Sequence, residues 1–217
     1  MCIRDRLSPL WSVEPGIYWV STSGGDPVKV SSNGSAPQFS SDGSRIMFTS
    51  RGENGLELHS VDLNGQDKRM LASGENVTSF RVSPDGQWLA FTEHFNVYVM
   101  PMTATGKALT ASRQGGAIPV HKVSEYAGEF LHWSADGSAL LWSNGPILST
   151  RSLSDAFALF DQGTDEGSDV EPVEAVIHNL NLGFSVPADT PTGTVALVGG
   201  DIITMREADT TLSLIHI

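Results

Sequence analysis

The chain has 217 residues, with 13 Lys and Arg against 25 Asp and Glu, a net charge of −12 at pH 7. A surface of that sign repels phosphate backbones, so nucleic acid is not an expected partner. A single cysteine leaves no disulfide framework or thiolate metal cluster within the chain.

The two ends mirror each other. A DNA stretch that encodes Met1 to Arg6 has a reverse complement that reads Leu-Ser-Leu-Ile-His-Ile, the residues from Leu212 to Ile217. This resembles the transposase end sequence used to prepare sequencing libraries, so residues 1–6 and 212–217 are expected to be adaptor read-through. On that reading the protein proper runs from Leu7 to Thr211 and continues in both directions. Cys2 then falls outside it, and the balance becomes 11 basic against 24 acidic residues, a net charge of −13.

From the N-terminus, Ile17 to Val20 and Val28 to Val30 read as strands about a turn at Gly25. Next comes Phe39-Ser40-Ser41-Asp42-Gly43, the first of three similar segments, followed by Val82-Ser83-Pro84-Asp85-Gly86 and Trp133-Ser134-Ala135-Asp136-Gly137. Four and six residues beyond each Asp stand Ile46 and Phe48, Leu89 and Phe91, Leu140 and Trp142. A spacing of two puts both apolar groups on one face of a strand. Asp-Gly between apolar runs predicts a hairpin with a tight primed turn, which requires positive φ.

A second hairpin keeps step with the first. Tyr18, Leu58 and Tyr98 lie 40 residues apart, the turns follow at Gly25, Gly65 and Gly106, and the last strands are Val28 to Val30, Arg69 to Leu71 and Ala108 to Thr110. Two hairpins in about 40 to 45 residues make a four-stranded propeller blade. Asp85 to Asp136 is 51 residues against 43 for Asp42 to Asp85, and the excess is assigned to a loop from Arg113 to Glu129. The expectation is half a blade, two whole blades and a fourth ending near Leu153. Blades bury their faces only against neighbours, so a chain with open ends is expected to be weakly stable or prone to aggregation.

Beyond Leu153 the pattern stops. Asp161 to Glu174 is acidic and Gly-rich and predicts a solvated linker. Then come an apolar stretch from Val176 to Leu182, a Pro-containing turn at Pro187 to Pro191, and strands at Thr194 to Val198 and Ile202 to Met205.

The S-x-D-G hairpins resemble TolB-like propeller repeats, a WD40-like pattern, over about Ile17 to Leu153. Pro191 to Met205 resembles the opening strands of amidohydrolase-superfamily enzymes, and the stretch from Val120 to Ser152 also looks like the subgroup that carries such a propeller in front of the hydrolase. The expected fold is therefore all-β: a partial β-propeller of about three to four four-stranded antiparallel blades over 7–153, an acidic linker over 154–190, and the start of an amidohydrolase N-terminal β-sandwich over 191–211. What the resemblance implies is a metal-dependent amidohydrolase, periplasmic or extracellular, cleaving amide-type C–N bonds in a C-terminal barrel. That barrel would hold one or two divalent metals, zinc foremost, and act on a peptide or small amide, with the propeller shaping access or docking a partner. The alternatives are a non-enzymatic TolB-like binding propeller and the propeller of a prolyl-oligopeptidase-like serine peptidase.

The chain itself offers no catalytic, cofactor-binding or metal residues. His59, His94, His121, His132 and His178 show no His-x-His or His-Glu-x-x-His spacing, and no G-x-S-x-G elbow occurs. Asp42, Asp85 and Asp136 supply one carboxylate per motif, too few for calcium, and read as turn formers. The pairs Gly24-Gly25, Gly115-Gly116 and Gly199-Gly200 also read as turns. Glu125, Tyr126, Glu129 and His132 are the most polar and aromatic group, facing a partner or substrate, or else a surface loop with Tyr126 packed between blades.

Overall fold

The computed structural model describes residues 2–5, 15–53, 55–103, 106–116, 118–154, 176–188 and 193. Two units are distinguished, Met1–Leu182 and Gly183–Ile217. None of the described residues of the second unit lies in a strand. The acidic segment from Asp161 to Glu174, the strands expected at Thr194 to Met205, and Gly199-Gly200 lie outside the described residues.

The first unit is all-β and forms four successive sheets, a partial β-propeller. The first sheet runs β1 (Cys2–Asp5), β2 (Gly16–Trp19), β3 (Val28–Ser31). Cys2–Asp5, set aside as adaptor, is thus placed as an antiparallel partner of β2. The second sheet contains β4 (Ser35–Phe39), β5 (Arg45–Gly52), β6 (Gly55–Asp62) and β7 (Arg69–Gly74), and the third contains β8 (Val77–Val82), β9 (Trp88–Glu93) and β10 (Asn96–Pro101). The fourth holds β13 (Glu129–Trp133), β14 (Ala139–Asn144), β15 (Ile147–Ser152) and β16 (His178–Asn181).

Two boundaries differ from the sequence reading. The strand at Ala108 to Thr110 does not complete its own blade: β11 (Leu109–Thr110) pairs in parallel with β7 of the preceding sheet. The third sheet is completed instead by β12 (His121–Lys122), antiparallel to β10, from the segment assigned to a loop. Burial explains the exchange, because Leu109 and Ala111 enter the core between the second and third sheets. Nor does the fourth blade end at Leu153. Four residues beyond the acidic segment, β16 pairs with β15 from Ile147↔Asn181 to Thr150↔His178 and satisfies its outer edge, which would otherwise carry unpaired backbone groups.

The core lies between sheets, and alternation along the strands distributes it. Ile46 and Phe48 of β5 enter a cluster with Ile17, Val30 and Val61, whereas Met47 faces the next sheet. Leu89 and Phe91 of β9 join Phe80, Tyr98 and Met100 on one side, while Ala90 joins Val97, Val99, Leu140 and Trp142 on the other. The paired apolar residues after each Asp therefore face the preceding sheet in all three repeats. Central strands buried on both faces lose the polar alternation of a one-sided sheet. Each fully buried Leu, Val or Phe contributes about 1.5–3 kcal/mol.

The S-x-D-G segments form the hairpins, but not with primed turns. Gly43 donates its N–H to Ser40 O at 2.9 Å, and the pattern recurs as Gly86 to Ser83 and Gly137 to Ser134. The glycines sit at φ 70°, 75° and 74°, while neither Asp nor the residue before it has positive φ. The left-handed residue is the glycine alone, so the aspartate is released to hydrogen-bond with its side chain. Asp42 Oδ1 accepts from Ser40 Oγ at 2.6 Å and from Ser44 N–H at 3.1 Å, and Ser40 Oγ accepts from Arg45 N–H at 2.9 Å. The same set recurs around Asp136, where Ser134 Oγ and Ser138 N–H donate at 2.6 and 3.0 Å.

Candidate functional site

β4, β8 and β13 each open a hairpin at one edge of a sheet, and these three edges line a common cleft of about 350 Å³. It follows the inner strands and is therefore axial to the blades. Ala36, Gln38 and Phe39 come from β4, Arg81 and Val82 from β8, and His132 and Trp133 from β13. Gln38, Arg81 and His132 hold the same place in the repeat, the residue two before the motif serine.

Each inner strand carries a register irregularity, between Ser35 and Gln38, Val77 and Ser79, and Glu129 and His132. Ala36 and Phe130 adopt φ of 50° and 52° there. A bulge bends an edge strand, re-aims its side chains and discourages further pairing.

Two of the lining residues join the blades together. Gln38 Nε2 donates to Val82 O at 3.1 Å, and its Oε1 accepts from Val82 N–H at 3.3 Å, so one amide bridges β4 to β8. Trp133 Nε1 donates to Arg81 O at 3.1 Å and ties β13 to the same strand. Trp19 Nε1 links the first sheet to the second, donating to Leu63 O at 2.8 Å.

Arg81 and His132 are left to set the electrostatics. Burial pushes the Arg81 guanidinium below its ordinary value, but an arginine keeps its charge at physiological pH. Burial first, then the nearby Arg81 charge, holds the His132 imidazole below its usual 6.5, so at pH 7 it is neutral with one N–H donor. Among the described residues no Asp or Glu lines this cleft.

The other histidines stand apart. His59 is buried on β6, 3.1 Å from Glu57 Oε2, with its pKa lowered by burial and by Lys68. His94 occupies the β9–β10 turn at φ 46°, His121 lies on β12, and His178 on the outer strand β16. Among the described residues no three His, Cys, Asp or Glu converge as a metal would require.

The group Glu125, Tyr126, Glu129 and His132 is not brought together in one cleft. Glu125 and Tyr126 border a smaller cleft of about 140 Å³ with Trp142, Ile147 and Asn179, whereas His132 faces the axis. Tyr126 is 68% exposed, so it does not pack between blades, and hydrogen bonding to Glu125 raises its pKa. Sequence reasoning passed over Gln38 and Arg81. Their signal was present in the repeat itself, as polar residues at one position of three aligned inner strands.

No protein-family model matches the sequence, and no curated protein matches it. Among solved structures, TolB from Acinetobacter baumannii aligns at 18% identity and a TM-score of 0.48, over 64% of this chain and 35% of that one. A nidogen/laminin complex aligns at 17% identity and a TM-score of 0.44, over 64% of this chain and 53% of that one. The β-propeller domain of the trilobed protease from Pyrococcus furiosus aligns at 12% and 0.38, over 63% and 55%. The aligned part thus spans about a third to just over half of these structures.

Proposed function

We propose that this chain is the recognition or access propeller of a larger protein, and that the part it serves is a metal-dependent amidohydrolase barrel. The observation that supports the first half is the axial cleft, whose walls are stapled between blades and whose lining also holds one arginine and one histidine. The second half rests on the resemblance of Pro191 to Met205 to amidohydrolase opening strands. The described residues offer no set of donors that fits a divalent metal. In this reading the propeller supplies binding and orientation, and bond cleavage belongs to the barrel. Residence in the periplasm or outside the cell belongs to the same reading.

A binding propeller without enzymatic activity would use the same cleft, and one experiment separates the two. In the longer protein, hydrolysis of a panel of amides is measured with and without chelator, and again after removal of residues 15–182. The expected result is chelator-sensitive hydrolysis whose preference among bulky and small substrates changes on removal of the blades. Unchanged rates and selectivity for every substrate would overturn the access role. Absence of any chelator-sensitive hydrolysis would overturn the amidohydrolase assignment and leave the binding propeller.

A further inference from the structure

We propose that Arg81 anchors a carboxylate-binding subsite in the axial cleft, with His132 as a second donor and with Phe39 and Trp133 forming the apolar wall. The proposal deepens the recognition role above by naming a ligand class, a monocarboxylate that carries an apolar group. A peptide C-terminus and a small aromatic acid share that chemistry.

Charge placement is the first argument. In a chain of net charge −12, the described residues of the cleft lining include an arginine and no Asp or Glu. Arg45 and Arg69 illustrate the alternative, since both pair with Asp67. Arg81 makes no ion pair among the described residues, and its guanidinium hydrogen bond there is from Nη1 to its neighbour's carbonyl, Phe80 O, at 3.0 Å. A half-buried cation compensated by one peptide carbonyl is electrostatically incomplete, and an anion entering the cleft completes it.

Elimination supplies the second. The Gln38 amide is engaged on both sides with Val82, and the Trp133 indole N–H with Arg81 O. Among the described residues, the remaining polar side chains of the lining are the Arg81 guanidinium and the neutral His132 imidazole. A single planar guanidinium matches a carboxylate in a two-pronged hydrogen bond. A phosphate dianion in an acidic chain would call for further cations, and among the described residues Lys is missing from this lining and Arg81 stands alone as its arginine. The volume, about 350 Å³, suits a small ligand or the last residues of a peptide.

The test uses the 217-residue chain and three probes: N-acetyl-Phe-Leu as the free acid, the same dipeptide as its C-terminal amide, and benzoate. Binding is measured by calorimetry and by tryptophan fluorescence for the native chain, Arg81→Gln and Arg81→Lys. The free acid is expected to bind about tenfold tighter than the amide, as one charge-assisted pair warrants. Arg81→Gln should abolish that difference, and Arg81→Lys should keep part of it. Benzoate binding as tightly as the dipeptide acid identifies a small-acid site, and weaker binding identifies a peptide end. Equal binding of acid and amide to the native chain, or a preference for the acid that survives in Arg81→Gln, would overturn the proposal. The acid–amide comparison stands on the native chain even if a variant fails to fold. Because no hydrolysis is measured, failure here leaves the access reading to its own test.

Discussion

At the scale of single residues, the most repeated device is the serine–aspartate clasp beneath each hairpin. Hydrogen bonds from Ser40 and Ser44 hold the Asp42 carboxyl at a pKa of about 2, and those from Ser134 and Ser138 do the same for Asp136. Asp85 is lowered by Ser83 and the Gln87 N–H. A carboxyl with a depressed folded pKa stabilises the fold while ionised. That contribution is complete above the unfolded value near 4 and is lost as pH falls through about 2. Asp42→Ala and Asp136→Ala should therefore lower the melting temperature by a constant amount above pH 5. The gap to the native chain should shrink as pH falls from about 4 and close only below about pH 2, as thermal melts followed by circular dichroism would show; a gap independent of pH would mean that the carboxylate charge contributes nothing. Asp-Gly in a hairpin was legible in the sequence. The turn type was not, because it depends on which of the two residues takes positive φ, and the serine clasp settles that in favour of the glycine.

At the scale of elements, β11 is the part that sequence periodicity misassigned. Leu109 stands where a fourth strand was due, yet it is 4% exposed in the core between the second and third sheets and pairs with Ala72 of β7. Two residues of strand add little hydrogen bonding, so the burial of Leu109 holds the segment in place. Leu109→Ala should cost about 2–5 kcal/mol, the range for deleting a buried leucine. Thr110→Ala, at an exposed position, should stay within about 0.5 kcal/mol. Urea denaturation of both variants checks this, and equal midpoints would show that β11 is not anchored through its leucine. The same scale explains β16: nothing in His178 to Asn181 marks a blade strand, since all four residues are exposed. Its place comes from the open edge of β15, a feature of the sheet rather than of the segment that fills it.

At the scale of the whole molecule, adjacent blades are joined by packed faces and by side chains that cross between inner strands. Gln38 and Trp133 tie β4 and β13 to the two sides of the same short stretch, Arg81 and Val82. Trp133→Phe removes one hydrogen bond with little change of shape and should cost about 1 kcal/mol. Gln38→Leu also leaves Val82 N–H and C=O without those partners and should cost more, about 1–3 kcal/mol. Thermal or urea unfolding gives both values. Costs near zero would place the coupling between blades entirely in the apolar clusters.

The axial cleft belongs to this scale as well. Its residues come from three strands 43 to 51 residues apart at successive motifs, so their meeting is a consequence of closing blades around a common line. The sequence by itself determined the all-β class, the blade period, the three S-x-D-G hairpins and the placing of each apolar pair on one face of its strand, because each is set by local alternation and turn chemistry. Only the tertiary structure decided which strand completes each blade, and that Gln38, Arg81 and His132 share one cleft. The reason is physical: edge hydrogen bonds and burial between sheets are satisfied by whatever segment reaches them, and a period along the chain carries no record of that choice.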